Sequence, residues 1–135
     1  MRPTLGIQLI LGGQDFQSDL GASLLSGLLE SLRPAFFDQF IVVNSGIDKN
    51  SQQLLRSEST YRKSIGLSPL KVVKRKWTDD FAAARQAALD LCETDWWLGV
   101  DSDDTIYNIE SIRDEIEHAD EDCGGFFAPY MYAFD

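Results

Sequence analysis

The sequence predicts an α/β fold, a three-layer α/β/α sandwich built around a mostly parallel sheet. Three observations carry that reading. Short apolar runs bounded by Gly, Asn or Asp alternate with longer segments whose apolar residues recur at helical spacing. The connections between these segments are short. The order strand, helix, strand, helix repeats along the chain, as a parallel sheet requires, because each crossover has to return to the same end of the sheet.

Thr4 to Leu11 reads as the first strand, ended by Gly12-Gly13. From Asp19 to Leu32, apolar residues at Leu20, Leu24, Leu25, Leu28, Leu29 and Leu32 form one helical stripe, and Pro34 stops the helix. Phe40 to Val43 is a second strand, followed by the turn Asn44-Ser45-Gly46. A polar helix is expected from Asp48 to about Ser57, and Leu70 to Val73 is a third strand. Thr78 or Asp79 is expected to cap a helix that runs to about Cys92, with Phe81, Ala84, Ala88 and Leu91 on its apolar stripe. Trp96 to Val100 is the fourth strand. Asn108 to Ala119 carries Ile109, Ile112 and Ile116 on one face, and Phe126 to Phe134 reads as an aromatic fifth strand. Trp77, Phe81, Trp96 and Trp97 are expected in the core, where aromatics bury most area.

The chain has 135 residues, 44% of them apolar and 25% charged, which fits one ordinary globular domain. Its net charge of −10 argues against binding nucleic acid or an anionic membrane surface. Two cysteines, Cys92 and Cys123, do not make a disulfide framework or a zinc site. His118, the one histidine, lies in an acidic helix and reads as a surface residue. That argues against a Ser-His-Asp triad or a histidine-rich metal site. No run is long enough for a transmembrane helix and no cleavable leader is recognisable, so the expected compartment is the cytoplasm.

The most informative segment is the apolar run from Trp96 that stops at three carboxylates, Asp101, Asp103 and Asp104. In open α/β sheets, ligands bind beyond the carboxyl ends of the strands. Carboxylates crowded there repel one another unless they share a cation, and hard ions such as Mg²⁺ or Mn²⁺ suit them. The competing reading is an acidic turn leading into the next helix. The same predicted edge collects Gly12-Gly13, Asn44-Ser45-Gly46 and the basic residues Lys74, Arg75 and Lys76. Glycines permit close backbone approach, cations suit phosphate and acids suit a metal. Together they describe a site for a nucleotide diphosphate and its cation.

Three segments resemble the family 2 type of GT-A-fold glycosyltransferases. They are Phe40 to Asp48 (FIVVNSGID), Trp77 to Leu89 (WTDDFAAARQAAL) and Asp95 to Asp104 (DWWLGVDSDD). The last resembles the metal-binding D-x-D segment of that family. The resemblance implies a single GT-A-like nucleotide-sugar-binding domain spanning the chain, the N-terminal part of a larger catalytic domain. It implies a nucleotide-diphosphate sugar as donor, a UDP- or GDP-sugar, an acceptor that the sequence does not identify, and Mg²⁺ or Mn²⁺ as cofactor. Donor binding is then expected at Leu11, Gly12, Gly13, Asn44, Asp48, Arg75, Arg85, Asp101 and Ser102. The metal is expected at Asp101, Asp103 and Asp104, with Asp103 in closest contact.

The chain departs from the family pattern in three places. Asn44 stands where Asp is usual, Gln86 where Asn is usual, and Thr94 where Gly is usual. The acceptor half and its general base are expected beyond Asp135, so the sheet reads as truncated. Two rival readings follow from the same residues. One is a nucleotide-sugar-binding or interaction module without catalysis. The other is a haloacid-dehalogenase-like phosphatase, with Asp101 as nucleophile and Asp103 as general acid and base.

Overall fold

The computed structural model describes residues 3–12, 19–78, 80–102, 104–120 and 122–125. Its elements alternate in chain order: β1 (Leu5–Leu11), α1 (Asp19–Leu32), a 3₁₀ turn (Arg33–Ala35), β2 (Gln39–Asn44), α2 (Lys49–Ser64), β3 (Lys71–Lys74), α3 (Phe81–Leu89), β4 (Trp96–Val100) and α4 (Ser111–Glu117). The four strands form one parallel sheet in the order β3-β2-β1-β4. The expected aromatic strand from Phe126 and the turn residue Gly13 lie outside the described residues.

The period of two along the central strand sorts its side chains into two layers. Leu5, Ile7, Leu9 and Leu11 pack with Leu25, Leu28, Leu29 and Leu32 of α1, Leu55 of α2 and Ile116 of α4. On the opposite face Ile10, Ile41 and Val43 pack under Ala84 and Ala88 of α3. The chain therefore has helices on both faces, the three-layer arrangement expected from the sequence. Because β2 and β3 lie on one side of β1 and β4 on the other, the strand order reverses between β1 and β4. That reversal opens the crevice where α/β proteins place their ligands.

The amino edge of the sheet is tied shut. Thr4 donates its backbone N–H and hydroxyl to Asp95 at 2.9 and 3.0 Å, and the Asp95 N–H donates back to Thr4 Oγ1 at 2.9 Å. Asp38 accepts from the Leu5 N–H at 2.8 Å and from Arg113 at 3.2 Å. Hydrogen bonding from the Thr4 backbone and then its hydroxyl holds the Asp95 carboxyl below its ordinary range.

The helices differ from expectation at their ends. α2 continues to Ser64 because its buried face is polar: Ser51, Glu58 and Arg62 are buried beside Leu55. Glu58 accepts from Arg33 at 2.9 Å, and Arg62 donates to the carbonyls of Phe37 and Ser68, each at 2.7 Å. α3 is capped by Asp80, which accepts from the Ala83 N–H at 3.0 Å, and it ends at Leu89. α4 begins only at Ser111, after Asn108 takes a left-handed conformation at φ 58°. The aromatic expectation also needs correction. Trp96 packs against the core, but Trp97 is 43% and Phe81 50% exposed. Trp97 falls on the α3 face of β4, and α3 covers β1 and β2 instead.

Candidate functional site

The register places the expected site residues on one edge. Leu11, Asn44 and Lys74 stand level across β1, β2 and β3. The pairing of β1 with β4 runs to Leu9 and Val100, so Asp101 leaves the sheet beside the end of β1. At about 4.8 Å between neighbouring strands, the basic end at β3 and the acidic end at β4 are separated by roughly 14 Å. An open groove of about 360 Å³ lies at the basic end, lined by Asn44, Ser45, Gly46, Ile47, Gln52, Lys74, Arg75 and Lys76.

The loops at this edge are built by their own hydrogen bonds. Ser45 N–H donates to the Leu11 carbonyl at 2.8 Å and Arg75 N–H to the Asn44 carbonyl at 2.9 Å. Asn44 Oδ1 accepts from the Gly46 N–H at 2.9 Å, an Asx turn in which the oxygen is used locally and the amide nitrogen remains for other partners. Gly46 has φ 119°, a conformation that suits glycine. Gly12, at φ 152°, lies so close to the β2 loop that an added Cβ would stand 2.8 Å from Ser45 Cβ.

The acidic turn has its own order. Asp104 Oδ2 accepts from the Asp101 N–H at 2.9 Å, and the Asp104 N–H returns to the Asp101 carbonyl at 3.1 Å. Asp104 thus closes the turn, while Asp101 is exposed at the strand end. Asp103, the expected closest metal contact, lies outside the described residues. Among the described residues no three His, Cys, Asp or Glu side chains gather into a metal site. The Asp101 carboxylate is nonetheless a hard oxygen donor of the kind Mg²⁺ and Mn²⁺ take, usually together with substrate phosphates.

Arg85 reaches the same end from α3. Its guanidinium lies over Gly99, where a Cβ would stand 2.9 Å from Nη1, and it faces the Phe81 ring at 5.9 Å. Burial lowers its pKa, and the Asp101 carboxylate acts in the opposite direction. Its neighbour Gln86 donates to Asp90 at 2.8 Å.

The other expected residues serve the scaffold. The Leu11 side chain is in the core, and only its carbonyl reaches the edge. Asp48 caps α2 by accepting from the Ser51 N–H at 2.7 Å, and hydrogen bonding from Ser51 keeps its carboxyl below the ordinary range. Ser102 is 7% exposed. Gln52, on the groove wall, had no signal in the sequence beyond its place in the first turn of a polar helix.

With this edge in view, comparison with known families is decisive: the family model described as glycosyl transferase family 2 matches residues 21–135. The chain belongs to glycosyltransferase family 2. Eleven chains of solved structures match this family 2 chain. Among them, a crystal structure of S. aureus TarS, residues 1–349, matches with a TM-score of 0.63 and 23% identity over 84% of this chain. That likeness is one of fold, and it supports a GT-A-like architecture. The family 2 chain spans 31% of the TarS structure's length. Comparison with curated protein sequences finds no match. Among the described residues no helix is long and apolar enough to cross a membrane.

Proposed function

We propose that this chain binds the nucleotide-diphosphate sugar of a metal-dependent glycosyltransferase and holds it for transfer to an acceptor. The observation that carries this reading is the shared carboxyl edge, with a basic groove at one end and the acidic turn at the other, in a family 2 chain. In this reading the UDP or GDP moiety lies along the edge. The base and ribose rest near Asn44 and Gly46, with the backbone of Leu11 and Gly12 passing over them. The cations Lys74, Arg75 and Lys76 attract the phosphates.

Asp101 and Asp103 would hold Mg²⁺ or Mn²⁺, with Asp104 closing the turn that presents them. When bound, the metal would neutralise charge developing on the departing diphosphate. Arg85 and the Asp101 carboxylate attract each other at this end of the edge. The general base belongs to the acceptor half of the reaction. A cytoplasmic setting completes the reading, in keeping with the free thiols of Cys92 and Cys123.

Thermal melting with UDP- and GDP-sugars in the presence of Mn²⁺ tests the proposal. A ligand at a hundred times its Kd stabilises the chain by about 2.7 kcal/mol. The expected result is a rise in Tm with one nucleotide sugar and loss of the Mn²⁺-dependent part in Asp103→Ala. Absence of a shift with every nucleotide sugar would sink the donor-binding reading.

A further inference from the structure

One polar side chain in the middle of the sheet plays no part in the edge described above. Gln8 is fully buried in β1, and among the described residues neither its Oε1 nor its Nε2 has a hydrogen-bond partner. Its level neighbours are Ile41 of β2 and Gly99 of β4. Level residues of adjoining strands project to the same face, and Ile41 belongs to the α3 face. Gln8 therefore stands beneath α3, in the column next to Gly99.

The space above Gly99 is filled by the Arg85 guanidinium. A Cβ there would lie 2.9 Å from Arg85 Nη1 and 3.1 Å from Cζ. Arg85 Nη1 is itself buried and has no hydrogen-bond partner among the described residues. Two buried polar groups, one a pure donor and the other containing a carbonyl oxygen, thus occupy neighbouring columns about 4.8 Å apart. That spacing suits a hydrogen bond through one internal water or after a small side-chain rotation. Asp101 follows Gly99 by two residues, so the alternation of the strand carries the same face out to the acidic turn.

We infer that Gln8 is a positioning residue: its carboxamide holds the Arg85 guanidinium in the slot over Gly99, and through Arg85 it fixes Asp101 at the acidic end of the site. This inference rests on the donor-binding reading for its functional consequence, not for its geometry. The line Gln8, Arg85, Asp101 runs from the centre of the sheet to the edge, and Gly99 keeps it open by having no side chain. Without a role of this kind Gln8 would be better replaced by carbon, because a buried amide lacking partners only destabilises.

The test uses Gln8→Leu and Gln8→Glu in the full chain, with three readouts: Tm, the Arg85 Nε–H signal in ¹⁵N-labelled protein, and Mn²⁺ affinity measured by electron paramagnetic resonance with UDP present. Gln8→Leu is expected to keep or raise Tm. It should also speed exchange of the Arg85 Nε–H with water and weaken Mn²⁺ binding, each about fivefold to tenfold, the effect of one lost hydrogen bond. Gln8→Glu, which keeps an acceptor, should restore both. A Gln8→Leu protein whose Arg85 signal and Mn²⁺ affinity match wild type overturns the inference. Should Gln8→Leu fail to fold, Gly99→Ala takes its place: it must shift the Arg85 signal and weaken Mn²⁺ binding, and unchanged values overturn the inference equally. If wild type binds no Mn²⁺ with UDP, the donor reading fails, and the Arg85 signal alone decides whether Gln8 holds the guanidinium.

Discussion

Gly12 and Ser45 touch across the carboxyl ends of β1 and β2 so closely that a methyl group on Gly12 would lie 2.8 Å from Ser45 Cβ. The contact ties the loop after the first strand to the loop that carries Asn44. Gly12→Ala has to overcome both that overlap and a backbone at φ 152°. The expected cost is about 1–3 kcal/mol, read as a lower midpoint in urea unfolding with an unchanged slope. A midpoint equal to wild type would show that the two loops are not in contact in solution.

Asn44 is expected to act through both halves of its amide. Asn44→Ala removes the acceptor of the Gly46 N–H and should lower stability by about 1 kcal/mol. Asn44→Asp keeps that acceptor and should leave Tm close to wild type. Parallel melts of the two variants decide the matter: equal losses in both would mean that the Asx turn is not what holds the loop.

The buried ionic contacts of α2 differ in value. Arg62 is 4% exposed and donates to two backbone carbonyls, so Arg62→Ala leaves both carbonyls without their donor and removes a charge that Glu58 feels, although Glu58 keeps Arg33. A loss of about 3–5 kcal/mol is expected. The Arg33 side chain is 41% exposed while its partner Glu58 is 5% exposed, so Arg33→Ala should cost less than Arg62→Ala, about 1–3 kcal/mol for the carboxylate that loses its direct donor. Chemical denaturation of both variants tests this ranking, and the reverse order would refute it.

Asp95 predicts a pH dependence. Hydrogen bonds from Thr4 place its folded pKa below the ordinary 3.8. A depressed carboxyl contributes stability that is fully present above the unfolded value and is lost as pH falls through the folded one. Asp95→Ala should therefore lower Tm at pH 7, and its difference from wild type should shrink as pH falls below 3.8. A difference that stays constant down to pH 2.5 would exclude the ionised carboxyl as the source.

The strands, α1 and the alternation of elements were legible because apolar periodicity is a burial signal. β4 begins and ends where the sequence placed it, and so does α1. The second half of α2 was not legible, since Glu58 and Arg62 are buried through hydrogen bonds and an ion pair that no apolar pattern reveals. The edge itself could be read from the sequence: strand ends, glycines and charges fall at intervals fixed by the βα repeat. The division of labour within it could not. Asp48 and Asp104 carry the same carboxylate as Asp101, yet one caps a helix and the other closes a turn. Gln8 and Gly99 left a faint trace, an amide and a glycine interrupting two otherwise apolar strands, which gains meaning only once the register sets them side by side.

β3 is the shortest strand described and the least covered, with Lys71, Val72 and Lys74 exposed and Val73 only partly buried. Among the described residues it pairs with β2 alone, and it leads into Arg75 and Lys76. The margin of the sheet with the least packing to hold it is thus the one that bears the positive charge. Part of the attraction of a diphosphate would then go into ordering this margin, and its grip would follow ionic strength and temperature more steeply than charge alone dictates. Amide protection at Val72 and Val73 would report the ligand's arrival from within the strand.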